Sequence, residues 1–252
     1  MREAALKKNT TPLITLRKHM AGHRKTWQTL DEIRKAAAEG DAQAQSYLGV
    51  AYQNGQGVQQ DYAESVKWFR KSADQNDPVG QCYLGFCFLS GHGVPQEAGE
   101  AARWFREAAD QGDPAAQFNL GLLYETGQGV PQNYAEAVKW YHAAAERGEP
   151  QAQFNLGVFY EQGHVVPQNF EEAVRWYRSA AEQEIAPAQC NLGLCYQTGR
   201  GVPENMPEAM KWFIRAARQG DKTAQHNLGV HYATQEAAQQ AAEEESAGDE
   251  TR

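Results

Sequence analysis

Residues 113–148 read DPAAQFNLGLLYETGQGVPQNYAEAVKWYHAAAERG, and the fold is decided by how this stretch is read. Ala116, Leu120, Leu123 and Tyr124 stand at i, i+4, i+7 and i+8, the spacing of one helical face. Pro114 fits a first helical position, where its missing N–H would be unpaired anyway. This predicts a first helix over about Pro114–Thr126. Gly127-Gln128-Gly129-Val130-Pro131 then ends it, since Gly supplies positive φ and Pro bars continuation. A second helix is predicted from Asn133, an N-cap residue with Glu136 three positions on, the spacing of a capping box. Its expected buried stripe is Ala137, Trp140, Tyr141, Ala144 and Ala145, and Gly148 is its expected terminator.

The same pattern extends outward in both directions. Trp68, Trp104, Trp140, Trp176 and Trp212 recur 36 residues apart. So do Leu48, Leu84, Leu120, Leu156, Leu192 and Leu228, each followed by Gly. Such self-similarity is the signature of a stacked repeat array. Counting from Asp41, Asp77, Asp113, Glu149, Ile185 and Asp221 as position 1 gives five full repeats and a terminal half repeat. A degenerate half repeat, 27–40, precedes them. One helical hairpin cannot bury its own stripe, so neighbours must stack into a continuous core. The Trp is expected to fill the space left by the Gly and Ala. Asp61/Glu64, Asn169/Glu172 and Asn205/Glu208 repeat the capping-box spacing, with Glu97/Glu100 as its weakest version. The pairs Glu64/Lys67, Glu100/Arg103, Glu136/Lys139, Glu172/Arg175 and Glu208/Lys211 read as solvated neighbours on the second helices, worth about 0.2–0.5 kcal/mol each.

The motif carried by Ala116, Leu120-Gly121, Tyr124, Gly127, Gly129-Val130, Asn133, Ala137, Trp140, Ala144-Ala145 and Gly148 resembles the Sel-1-like repeat, a cousin of the tetratricopeptide repeat. Phe88 in place of Tyr, Val165 in place of a loop Gly and Gly80 in place of Ala are small departures. The resemblance implies a right-handed, all-α solenoid of 36-residue helix–turn–helix repeats over residues 27–234. It also implies adaptor or scaffold work in protein complexes. By analogy with the tetratricopeptide repeat, positions 3, 6, 10, 13 and 14 face a concave groove. Position 6 reads Ser46, Cys82, Phe118, Phe154, Cys190 and His226. The expected partner-binding groove is Phe86, Phe118, Leu122, Glu125, Phe154, Val158, Glu161 and Leu194. Its apolar and acidic mixture suits a protein or peptide with apolar anchors and Lys/Arg.

Composition bounds the rest. The 252 residues carry a net charge of −8 and a mean hydropathy of −0.72. No stretch approaches the roughly 18 apolar residues of a spanning helix. Residues 1–26 form a basic arm, with seven Lys/Arg and one acid. Residues 235–252 read as an acidic helical cap running into a disordered tail from Ser246. The overall negative charge argues against a nucleic-acid partner. The arm leaves membrane or nucleic-acid association as an alternative. Its run Pro12–Leu16 is too short for a secretory signal. Cys82/Cys87 and Cys190/Cys195 are spaced by five, which on a helix puts the members of a pair about 140° apart. They read as free thiols in a reducing, cytoplasmic setting. His226 and His231 stand at the positions of those cysteines. His19/His23 lacks a neighbouring carboxylate or thiol, so no metal is expected. No cofactor or catalytic motif is recognisable, which favours a non-enzymatic protein; an enzyme would need a site of unrecognised type.

Overall fold

The computed structural model describes residues 27 and 29–249, with side chains through Glu236 apart from Gln235. The basic arm, with His19 and His23, lies outside the described residues. Among them the chain is all α: α1 Leu30–Ala38, α2 Ala42–Asn54, α3 Tyr62–Ala73, α4 Pro78–Ser90, α5 Ala98–Asp110, α6 Pro114–Thr126, α7 Tyr134–Glu146, α8 Pro150–Gln162, α9 Phe170–Glu182, α10 Ala186–Thr198, α11 Met206–Arg218 and α12 Lys222–Asp249. From α2 onward, even-numbered helices are the first helices of repeats and odd-numbered ones the second. The fold class is therefore an α-solenoid of 36-residue repeats. α12 is one helix through the segment assigned from sequence to an acidic cap. It includes Ser246–Asp249, which the sequence reading places in a disordered tail.

The chain divides into two compact units between Ala152 and Gln153. In the first, α1 to α7 pack successively on one another. One end is seated by Trp27, Leu30 and Ile33 against Ala37, Ala44 and Leu48. The larger cluster runs from Val50 through Phe69, Leu84, Phe105 and Leu120 to Trp140. In the second unit, Tyr177 and Leu192 centre one cluster and Phe213 and Ala224 another.

Local chemistry sets the helix ends. The Asp77 carboxylate accepts from Gly80 N at 3.0 Å, and Asp113 from Ala116 N at 2.7 Å. Asn133, Asn169 and Asn205 likewise cap the second helices. Glu97, the weakest expected cap, makes no side-chain cap bond. The box is only half built. The N-cap's own N–H donates to the position-12 carbonyl of the preceding helix, as Asn133 N does to Tyr124 O at 2.9 Å. The Glu is left to pair with the cation three residues on, as in Lys139–Glu136 at 3.4 Å. These pairs are solvent-exposed and contribute little.

Candidate functional site: the first-helix face

The packing partner of the glycine column is not the Trp. A Cβ on Gly121 would stand 2.8 Å from the Tyr141 ring. Gly49, Gly85, Gly157 and Gly193 are covered in the same way by Phe69, Phe105, Tyr177 and Phe213, so the residue after each Trp sits on the glycine. The helical period explains the correction: position 29 points at the repeat's own first helix, while position 28 is turned about 100° from it. Tyr141 is fully buried, whereas Trp140 keeps 9% of its surface exposed. Trp140 and Trp176 are still buried, while Trp68, Trp104 and Trp212 are half-buried, each beneath a cation: Lys71 over Trp68 at 4.0 Å, Arg103 over Trp104 at 4.4 Å and Arg215 over Trp212 at 4.6 Å.

A second column also holds the repeats together. Gln45, Gln81, Gln117, Gln153 and Gln189, all at position 5, are buried. Their amides are used twice. Gln117 Nε2 donates to Ala109 O at 3.1 Å and Gln189 Nε2 to Ala181 O at 3.0 Å. Gln at position 35 of the same repeat donates back: Gln75 to Gln45, Gln111 to Gln81, Gln183 to Gln153 and Gln219 to Gln189, at 2.7–2.9 Å. Position 35 of the third repeat is Arg147, and there Gln117 Oε1 is buried with no partner among the described residues. The 36-residue recurrence of Gln is visible in the sequence, but an apolar-pattern search passes over it.

Position 6 splits into two kinds. Ser46, Cys82 and Cys190 are buried rather than groove-lining. Each works with the Asp that opens the next repeat. Ser46 Oγ and Ser72 Oγ donate to Asp77 Oδ2 at 2.9 and 2.7 Å, and the Cys82 and Cys190 thiols feel the Asp113 and Asp221 carboxylates, which help to raise them. Burial pushes the Cys87 and Cys190 thiols up to about 12 and that of Cys195 to about 11, so all three stay protonated and unreactive at neutral pH. Cys82 is shifted well upward for the same reason. All four cysteines are free.

In the third and fourth repeats position 6 is Phe, and the next repeat opens with Glu149 or Ile185 instead of Asp. The same two repeats alone carry Tyr at position 29 and Glu at position 13. In the first unit, Phe118 is half-buried with its ring 5.7 Å from that of Tyr141, whose hydroxyl donates to Glu125 Oε2 at 2.6 Å. Leu122 is half-buried between them in sequence, and Phe86 packs edge-on to Phe105 at 5.1 Å. In the second unit, Phe154 lies 6.0 Å from Tyr177, and the Tyr177 hydroxyl donates to Glu161 Oε2 at 2.6 Å. Val158 and Leu194 are half-buried there. Burial raises the Tyr177 phenol far above its ordinary value, and the Glu161 carboxylate adds to that, so the phenol keeps its proton. Each carboxylate is thus held by a tyrosine hydroxyl donor and has further acceptor capacity.

Among the described residues, no group of three or more His, Cys, Asp or Glu is placed to hold a metal, and no helix is long and apolar enough to cross a membrane. A crevice lined by Ser46, Tyr47, Asp77 and Tyr83 has about 10 Å³, room for one water.

The Sel1 repeat model matches five times, over residues 42–77, 78–113, 114–149, 150–184 and 186–221. No curated protein matches the chain. Among solved structures, the chain is 35% identical to a protective antigen of uropathogenic Escherichia coli strains that displays an SLR fold, with a TM-score of 0.75 over 86% of this chain and 47% of that one. It is also 35% identical to a Sel1 repeat protein from Oxalobacter formigenes, with a TM-score of 0.75 over 79% of this chain and 58% of that one. A sel1 repeat protein of Klebsiella pneumoniae, at 21% identity and a TM-score of 0.52 over 79% of this chain and 97% of that one, shares the fold. The chain spans about half the length of the first two of these solved relatives. Five consecutive matches over most of the chain settle its kinship: it belongs to the Sel1 repeat family.

Proposed function

We propose that the chain is a non-enzymatic scaffold that binds protein or peptide segments on the first helices of each of its two units. The contact residues are Phe86, Phe118, Leu122 and Glu125 in the first unit, and Phe154, Val158, Glu161 and Leu194 in the second. Sel1 repeat proteins generally serve as protein–protein interaction scaffolds. The observation that carries the assignment is the joint change at three positions in the third and fourth repeats. Phe replaces the buried Ser or Cys, and Glu appears seven residues on, held by a Tyr hydroxyl. In the first, second and fifth repeats position 6 is buried toward the Asp that opens the next repeat. A half-buried Phe with a carboxylate two turns on along the same helix, both touching one Tyr, offers an apolar contact and a charge suited to a segment with apolar side chains and Lys/Arg. The four free, buried thiols fit a reducing compartment, in which we place the protein.

The test is binding of a partner, isolated on the intact chain, to wild type and to Phe118→Ala/Phe154→Ala. Losing two half-buried rings at an interface predicts a loss of at least about tenfold. Unchanged affinity with an unchanged circular dichroism spectrum would overturn the assignment.

A further inference from the structure

α12 opens a sixth repeat that has no second helix among the described residues. In the second and third repeats, residues at positions 6, 9, 10 and 13 of the first helix meet the second helix of the same repeat along one edge, and the side chains at 6, 10 and 13 named here stay half-buried. Phe118 meets Tyr141, Gly121 lies under it, Phe86 meets Phe105, and Glu125 accepts from the Tyr141 hydroxyl. In α12 these positions are His226, Gly229, Val230 and Ala233, and all four are exposed. A Cβ on Gly229 would meet nothing within 4 Å, whereas the other five glycines of its column each lie under a ring. Val230, the large apolar side chain of this stripe, is 51% exposed. The opposite side of α12 is seated over its first two turns: Ala224 is fully buried, and Leu228 packs with it against Phe213 and Ala216 of α11, while Tyr232 further along is 50% exposed. α12 is therefore held in ordinary first-helix register while the stripe that takes a second helix stands open.

We infer that this open stripe docks an α-helix of another protein that carries the pattern of a repeat's second helix. That pattern is an aromatic ring to sit on Gly229, with small residues four before it and three and four after it. The fit is set by continuity with an interface the chain builds five times. A second copy of the chain has no such helix to offer, because Phe69, Phe105, Tyr141, Tyr177 and Phe213 are each at most 1% exposed, engaged with their own first helices. The surface lies on α12 and shares no residue with the proposed Phe/Glu/Tyr face, so either assignment can fail alone.

The probe is a labelled peptide of residues 169–184, NFEEAVRWYRSAAEQE, the chain's own α9 with its caps. It is titrated into the full chain by fluorescence anisotropy. Saturable binding is expected, weakened at least about tenfold by Tyr177→Ala in the peptide and by Gly229→Phe in the chain, where the new ring occupies the seat. Gly229 points into open space, so Gly229→Phe should keep the wild-type circular dichroism spectrum and urea midpoint. No saturable binding up to about 1 mM peptide, the weak end of specific recognition, would overturn the inference. So would equal affinity for Gly229→Phe, or concentration-dependent dimerisation of the chain that Gly229→Phe abolishes.

Discussion

Replacing Gly121 with Ala tests the glycine–ring seat, and replacing Gly229 with Ala is its internal control. The new Cβ at position 121 would lie 2.8 Å from two carbons of the Tyr141 ring and 3.2 Å from Ala137 O. Carbon–carbon contacts are optimal at roughly 3.5–4.0 Å, so the ring must retreat by about an ångström. It has nowhere to go, since Tyr141 is fully buried and its hydroxyl is tied to Glu125 at 2.6 Å. Overpacking of this kind costs about 1–3 kcal/mol. Against it stands the ordinary helix-interior gain of Gly→Ala, roughly 0.5–1 kcal/mol. Gly121→Ala should therefore lose about 1–2 kcal/mol. Gly229→Ala, with no atom within 4 Å, should gain up to about 1 kcal/mol from propensity alone. The assay is urea unfolding followed by far-ultraviolet circular dichroism, with Trp fluorescence as a second probe to detect separate unfolding of the two units. If Gly121→Ala is as stable as wild type, the ring is not wedged on the glycine and the packing account is wrong.

Three further outcomes follow from the same contacts. Arg147→Gln would supply the missing position-35 donor to Gln117 Oε1 and should raise stability by about 1 kcal/mol in urea unfolding; a loss would mean the unpaired oxygen is otherwise satisfied. Asp77→Ala removes a helix cap and also the acceptor of Ser46 and Ser72, so it should cost about 2–4 kcal/mol against about 1 for a cap alone; a cost near 1 would deny the serines their role. Burial holds the Cys195 thiol protonated up to about 11 in the folded chain, while an unfolded thiol ionises near about 8.5. Its stabilising share is complete below about 8.5 and is lost as pH rises toward about 11. Cys195→Ala should flatten the fall of the urea midpoint across that window, and an unchanged slope would contradict the shift.

The repeat, its helix boundaries and its caps are legible in the sequence because each rests on one residue type at one spacing: Leu-Gly, Trp, the loop Gly pair and an Asn or Asp before Glu. What is not legible rests on pairs of columns. The ring column varies between Phe and Tyr, so the invariant Trp beside it looks like the residue that packs on the glycine, although helical geometry turns it about 100° away from that seat. Position 6 appears as one groove-facing column, yet Ser46 and Cys82 bury themselves against Asp77 and Asp113 while Phe118 and Phe154 do not. Only reading position 6 together with position 1 of the next repeat separates them. Glu125 and Glu161 stand out in the sequence as acids, but their tie to Tyr141 and Tyr177 needs the fold, since 16 residues separate the members of each pair.

The scaffold account is tested most directly by comparing both helical faces against one partner. The partner isolated on the intact chain is titrated into wild type, Glu125→Gln/Glu161→Gln and Lys139→Ala/Arg175→Ala. The Gln pair preserves an acceptor for the tyrosine hydroxyls and removes only charge, while Lys139 and Arg175 are exposed cations of the second helices. The account predicts about tenfold weaker binding for the Gln pair, less so at high salt, and unchanged binding for the Ala pair. Full affinity in the Gln pair together with loss in the Ala pair would place recognition on the second helices and contradict it.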